Sequence, residues 1–196
     1  MKLVVGLGNP GPEYALTRHN LGAIVLDVLS NAISAPLVKK GHGARYGTGR
    51  IAGENVLLVC PETFMNLSGL AVARLVRYYD VAMSDLIVIH DDLDIPFGDI
   101  RVKEGGGDGG HKGLMSIIEQ LGDPDFIRVR VGIGRPARKK MVESYVLGRL
   151  TEMEMREISK IAERSMEAIR TIISSGAARA MSEFNIRRFK NSGKEV

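Results

Sequence analysis

Apolar residues recur along this chain in two periods, and segments of the two kinds alternate. Lys2 to Val5 is a short apolar run feeding a Gly/Pro loop at Gly6 to Pro12, the pattern of a buried strand that ends in a turn. Beyond Asn20, the apolar positions Leu21, Ile24, Val25, Val28 and Leu29 fall at helical spacing. Asn55 to Cys60 reads as a second strand, closed by Pro61, whose fixed φ and missing N–H suit a strand end. Leu67, Leu70, Ala71, Leu75 and Tyr78 mark a second helix. Leu86 to Ile89 is a third strand, running into an acidic turn, His90-Asp91-Asp92-Leu93-Asp94. Five glycines between 105 and 110 precede a helix predicted over Lys112 to Leu121. Phe126 to Ile133 alternates Ile127, Val129 and Val131 with Arg128 and Arg130, as a strand with one polar face would. A longer helix is predicted over Thr151 to Ser174, with Gly176 at its end. Strands that alternate with helices in this way predict an α/β fold, a largely parallel sheet with helices on both faces.

Two segments lack either period. Ser34 to Gly49, rich in Gly and Lys, reads as a surface loop. The tail from Asn185 carries Arg187, Arg188, Lys190 and Lys194, and reads as a basic extension that frays or caps the fold. There is no repeat and no long linker, so residues 1–196 are expected to form a single domain.

Composition narrows the class without naming a function. At 44% apolar and 26% charged, 196 residues carry enough aliphatic surface to fold as an ordinary globular protein. A single cysteine, Cys60, excludes a disulfide framework and a zinc site of several thiolates. No apolar run approaches the ~20 residues of a membrane helix and no leader pattern opens the chain, so the expected compartment is the cytoplasm. The charge adds more. Between Arg101 and Lys140, nine basic residues stand against five acidic ones, an excess equal to the whole net charge of +4. Such a focus suits a polyanion held through its phosphates, or else a solvated basic face.

The candidate chemistry sits in the loops. Gly6-Leu7-Gly8-Asn9-Pro10-Gly11 matches a dinucleotide fingerprint, but Pro10 and Pro12 remove amide donors where a helix would have to open. The loop reads better as a device that holds Asn9 in place. Of the four histidines, His42 reads as surface, whereas His19, His90 and His111 fall beside strand or helix ends, where α/β sites gather. None has a second ligand at tight metal-binding spacing, so no metal is expected. In Pro61 to Gly69, Thr63 or Asn66 reads either as a helix N-cap or as a site residue. Phe64 and Met65 either pack under that loop or face a ligand. A strand-end aspartate such as Asp91 can lock a histidine tautomer, while Asp92 and Asp94 read as a solvated turn. The glycine run and Lys112 suit close approach to an anion. With no serine elbow and no reactive cysteine motif, hydrolysis would use a base-activated water.

Taken in order, GLGNPGPEYALTRHNLG, PETFMNLSG, IHDDLDIPFG, GGGDGGHKGL and RVRVGIGRP resemble bacterial peptidyl-tRNA hydrolases over most of the chain. The resemblance implies one α/β domain with a mixed, mostly parallel sheet, acting as a monomer without a cofactor. The implied reaction is hydrolysis of the ester joining a peptide or N-blocked amino acid to the 3′ ribose of tRNA. It implies His19 as general base, Asp91 as the carboxylate behind it, Asn9 as the residue that tells blocked from free aminoacyl-tRNA, and Asn66 as a positioning or oxyanion donor. Tyr14 and Phe64 match tRNA-contacting positions, and Met65, Asn20 and His111 line the same region. Lys103, Arg130 and Lys112 belong to the basic window, which would meet the phosphates of the acceptor arm. Lys112 is a departure, because the family usually has Asn there; Asp108, an acid within the glycine run, is a lesser one. A non-catalytic RNA-binding relative would lack the base or its carboxylate, and a nicotinamide enzyme would rest on the glycine loop alone.

Overall fold

The computed structural model describes residues 1–136 and 138–186. Its four apolar strands become β1 (Lys2–Gly6), β4 (Glu54–Pro61), β5 (Leu86–Asp92) and β7 (Ile127–Gly132), adjacent and mutually parallel in the order β4-β1-β5-β7. Their nearly unbroken Val, Ile and Leu content follows from burial on both faces. β2 (Lys39–Gly41) and β3 (Ala44–Ile51) extend the sheet antiparallel beyond β4, and β6 (Ile100–Glu104) pairs antiparallel with β7 at the opposite edge. The sheet is therefore mixed, with a parallel centre and antiparallel edges.

The helices are α1 (Leu21–Ala32), α2 (Ser68–Tyr78), α3 (Lys112–Leu121), α4 (Val142–Val146), α5 (Glu152–Ser175) and α6 (Ala177–Phe184). Leu21, Val25, Leu26 and Leu29 of α1 join Ile169, Ile172 and Ile173 of α5 in the core on one face. Ala71, Val72 and Leu75 of α2 join Leu114 and Ile117 of α3 on the other. Among the described residues no helix is long and apolar enough to cross a membrane. Arg187, Arg188, Lys190 and Lys194 lie outside the described residues.

Three readings of the sequence need correction. Of residues 34–49, only 34–38 are a loop: beyond them β2 and β3 form a hairpin whose two-residue turn, His42 and Gly43, has positive φ at both positions (57° and 80°). Such a turn matches the twist of a hairpin. Its strand pattern is masked because Gly47 sits where a side chain would strike the Pro36 carbonyl, and Lys39 and Lys40 belong to an exposed edge. The acidic turn begins later than expected. β5 continues through Asp92, since His90, Asp91 and Asp92 pair in register with Arg130, Val131 and Gly132. The polar side of β7 is not a solvated face either. Arg128 is only 2% exposed, and its guanidinium donates to the carbonyls of Gly106, Gly107 and Pro124, pinning the glycine loop.

Candidate active site

The loops leaving β1 and β4 lead to helices on opposite faces of the sheet, α1 and α2, which opens a crevice at the carboxyl ends of the parallel strands. The backbone fixes one wall. Leu7 N–H donates to Ile89 O of β5 at 3.0 Å, and Ala23 N–H of α1 donates to Leu7 O at 2.9 Å. Gly22 lies between them: a Cβ there would overlap the Ile89 carbonyl oxygen and stand 2.8 Å from Leu7 N and O. This close approach sets the short 3-10 turn Arg18–Asn20 directly above the end of β5.

That turn carries His19, and β5 carries Asp91. The His19 Nδ1–H donates to Asp91 Oδ1 at 2.9 Å, and both residues are buried. His111 reaches the same oxygen from α3, its Nε2 lying 3.0 Å from Asp91 Oδ1. The tautomers follow from hydrogen bonding. His111 is the N-cap of α3, and its Nδ1 accepts from Gly113 N–H at 3.1 Å and Leu114 N–H at 3.3 Å. Its ring proton therefore sits on Nε2 and points to Asp91. His90 donates from Nδ1 to the Asp91 carbonyl at 2.7 Å, and its buried Nε2 has no partner among the described residues. Burial, reinforced by the neighbouring His111, takes the His90 imidazole down to about 3, so it stays neutral. For Asp91, burial alone would raise the pKa, but the two imidazoles outweigh it and hold the carboxyl well below the usual range.

The ligand atoms of His19, Asp91 and His111 lie within 4.8 Å of one another, a spacing at which such groups can hold a cation. The proton wiring argues against that use. A metal on His111 Nε2 would require its proton to move to Nδ1, which would break the cap on α3.

Asn9 is fixed on three sides. Its N–H donates to Asn20 Oδ1 and its carbonyl accepts from Asn20 Nδ2, both at 2.9 Å, while its own Oδ1 accepts from Met65 N–H at 2.8 Å. Its Nδ2 donor has no partner among the described residues. Asn20, buried behind the loop, thus positions Asn9 and does not line the cleft. Met65 is 3% exposed and packs into the core beneath the loop, whereas Phe64 is 55% exposed. Neither Thr63 nor Asn66 caps α2; Leu67 holds the cap position with no side-chain hydrogen bond.

These groups share a cleft of about 970 Å³. Asn9, Tyr14 and His19 line it from the β1 side, and Phe64, Met65 and Asn66 from the β4 loop. Asp91, Lys103, His111, Lys112 and Arg130 line it from β5, β6, α3 and β7. Several of its charges are already paired. Arg130 Nε binds Asp92 Oδ2 at 2.8 Å, Arg135 pairs with Asp94, and Lys112 Nζ meets Glu143 Oε1 of α4 at 2.9 Å. Asp92 and Asp94 are therefore ion-pair partners and not a merely solvated turn.

Arg18 is a residue that sequence reasoning passed over. Its guanidinium forms a two-pronged pair with Glu154 (2.9 and 2.7 Å) and lies 4.5 Å from the centre of the Tyr145 ring. Glu154 also closes the capping box of α5 with Thr151. Arg18 so ties the turn bearing His19 to α4 and α5. The only signal was its place beside His19.

Comparison with known proteins points to one family. The model of the peptidyl-tRNA hydrolase family matches residues 3–193. The chain is 46% identical over 189 residues to the peptidyl-tRNA hydrolase of Syntrophotalea carbinolica, covering 96% of this chain and 99% of that one. It is 47% identical over 184 residues to that of Geobacter sulfurreducens, covering 94% and 95%. The crystal structure of peptidyl-tRNA hydrolase from Acinetobacter baumannii superposes with a TM-score of 0.89 at 36% identity, covering 96% of each chain. The chain belongs to the peptidyl-tRNA hydrolase family.

Proposed function

We propose that this chain hydrolyses the ester joining a peptide, or an N-blocked amino acid, to the 3′ ribose of tRNA, using a water that His19 deprotonates. The observation that carries this reading is the 2.9 Å bond from His19 Nδ1 to Asp91 Oδ1 within the cleft. A carboxylate at neutral pH only accepts, so Nδ1 keeps its proton and Nε2 holds the lone pair that takes one from water. Asp91 then stabilises the imidazolium, and the proton on Nε2 passes to the departing 3′ oxygen. Asn66, exposed at the rim, supplies a neutral donor for the oxyanion that forms at the ester carbonyl.

Asn9 accounts for substrate choice. With Oδ1 held by Met65 N–H, the amide is oriented so that Nδ2–H is the group it presents to the substrate. That donor meets the carbonyl of a peptide or acyl group, whereas a free α-ammonium presents only further donors. Tyr14 and Phe64 are suited to pack against the acceptor end, and Lys103, Lys112 and Arg130 against its phosphates. Phosphate contacts position tRNA without reading its bases, as suits an enzyme acting on many tRNAs in the cytoplasm as a monomer without cofactor.

The test is release of N-acetyl-amino acid from charged tRNA, with free aminoacyl-tRNA as control. The wild type is expected to cleave only the blocked substrate, and His19→Ala to lose at least about a hundredfold in kcat. A wild type that binds tRNA but hydrolyses nothing would turn the reading to a non-catalytic RNA-binding protein. Lys112→Asn is expected to raise KM by about threefold with little change in kcat, because one phosphate contact is lost. A large rise in kcat would mean instead that Asn at this position orients the attacking water.

A further inference from the structure

We propose that His111 is a positioning residue that shares Asp91 Oδ1 with His19 and so limits how much of the carboxylate's charge His19 receives. The inference deepens the catalytic reading above and rests on it. Its basis is a division of labour within one ring. Nδ1 of His111 is engaged by the first turn of α3, through Gly113 N–H and Leu114 N–H, which fixes the ring's rotation and its tautomer. Nε2–H is thereby aimed at the oxygen that His19 uses, 3.0 Å away, with the two rings 4.8 Å apart between centroids. A buried carboxylate facing a single histidine would favour the imidazolium strongly and leave little free base at neutral pH. A second, neutral donor on the same oxygen draws off part of that charge. The helix cap is thus also a setting on the base.

The other charged and titratable groups facing this cluster leave the role to His111. His90, on β5, is held neutral at its back. Asp92 of β5 is engaged by Arg130 of β7, and Arg18, beside His19, by Glu154 of α5. Lys112 at the start of α3 is turned to Glu143 of α4, and Arg128 of β7 to the glycine-loop carbonyls.

His111→Asn and His111→Ser separate the two duties of the ring. Both residues cap helices well and both are too short to reach Asp91. With either, the acid limb of the kcat/KM profile is expected to move to higher pH by about one unit, as His19 takes the whole carboxylate. The same move is expected in the His19 Cε1–H titration followed by NMR in protein without tRNA. The thermal midpoint is expected to stay near that of the wild type, whereas His111→Ala, which loses the cap as well, lowers it. An unmoved His19 titration in the two capped variants would reduce His111 to a helix cap and overturn the proposal. The NMR readout needs no turnover, so an inactive wild type would refute the catalytic reading while this inference is judged separately.

Discussion

Asp91→Asn is expected to lower kcat by about a thousandfold, the scale on which a buried carboxylate supports a histidine base. The amide keeps an oxygen that both His19 and His111 can donate to, so the fold is expected to hold and the thermal midpoint to change little. What disappears is the negative charge that, in the proposed mechanism, stabilises the imidazolium as water loses its proton. The acid limb of the rate profile should move to lower pH at the same time, since a neutral partner favours the uncharged ring. Asp91 itself does not account for that limb. Its carboxyl is held well below the usual range, so its charge persists through mildly acid pH and the stability it confers is lost only as pH falls through that depressed value. Activity lost between pH 5 and 7 therefore reports an imidazole and not this carboxylate. A loss in Asp91→Asn of less than about tenfold would remove Asp91 from the mechanism.

Gly22→Ala is expected to destabilise the fold by about 3 kcal/mol and to depress kcat together with it. The added methyl would overlap the Ile89 carbonyl oxygen, and backbone atoms of Leu7 block its escape on the other side. α1 can relieve the contact only by lifting from the sheet, and the turn that carries His19 runs directly into α1. Denaturant unfolding measures the first effect, and turnover well below the melting range measures the second. An unchanged unfolding midpoint would show that α1 is not seated as tightly as Leu7 and Ile89 require. Loss of stability with full turnover would show that the His19–Asp91 geometry does not depend on that seat.

The sequence made some of this architecture legible and hid the rest for physical reasons. The central strands were readable because burial on both faces demands continuous apolar runs, and α3 and α5 because glycines border them, the run at 105–110 before α3 and Gly176 after α5. The edge strands were not. β3 uses Gly47 and Gly49 to let residues 33–36 come close, which removes the side chains that alternation would display, and β6 is short and bears Arg101, Lys103 and Glu104. Of the site, the catalytic candidates were visible by residue type and position beside strand ends. The wiring was not: nothing in the spacing says that Asn20 clasps Asn9, that His111 caps a helix with the nitrogen facing away from Asp91, or that Arg128 is buried. Each of these depends on contacts between segments distant in sequence, such as the 56 residues separating Met65 from Asn9.

The side chain of Asn185 has a bearing on how the molecule meets its own copies. Just beyond α6 it lies against β6, where Oδ1 accepts from Val102 N–H and Nδ2 donates to Val102 O, both at 2.9 Å. An outer strand with free backbone groups is a template onto which another chain can add, and the start of cross-strand aggregation. Here a single amide imitates the missing neighbour and occupies both valences at the middle of the strand. The far edge is guarded otherwise: β2 has only three residues, and two of them are exposed lysines. Among the described residues, neither rim invites a further strand.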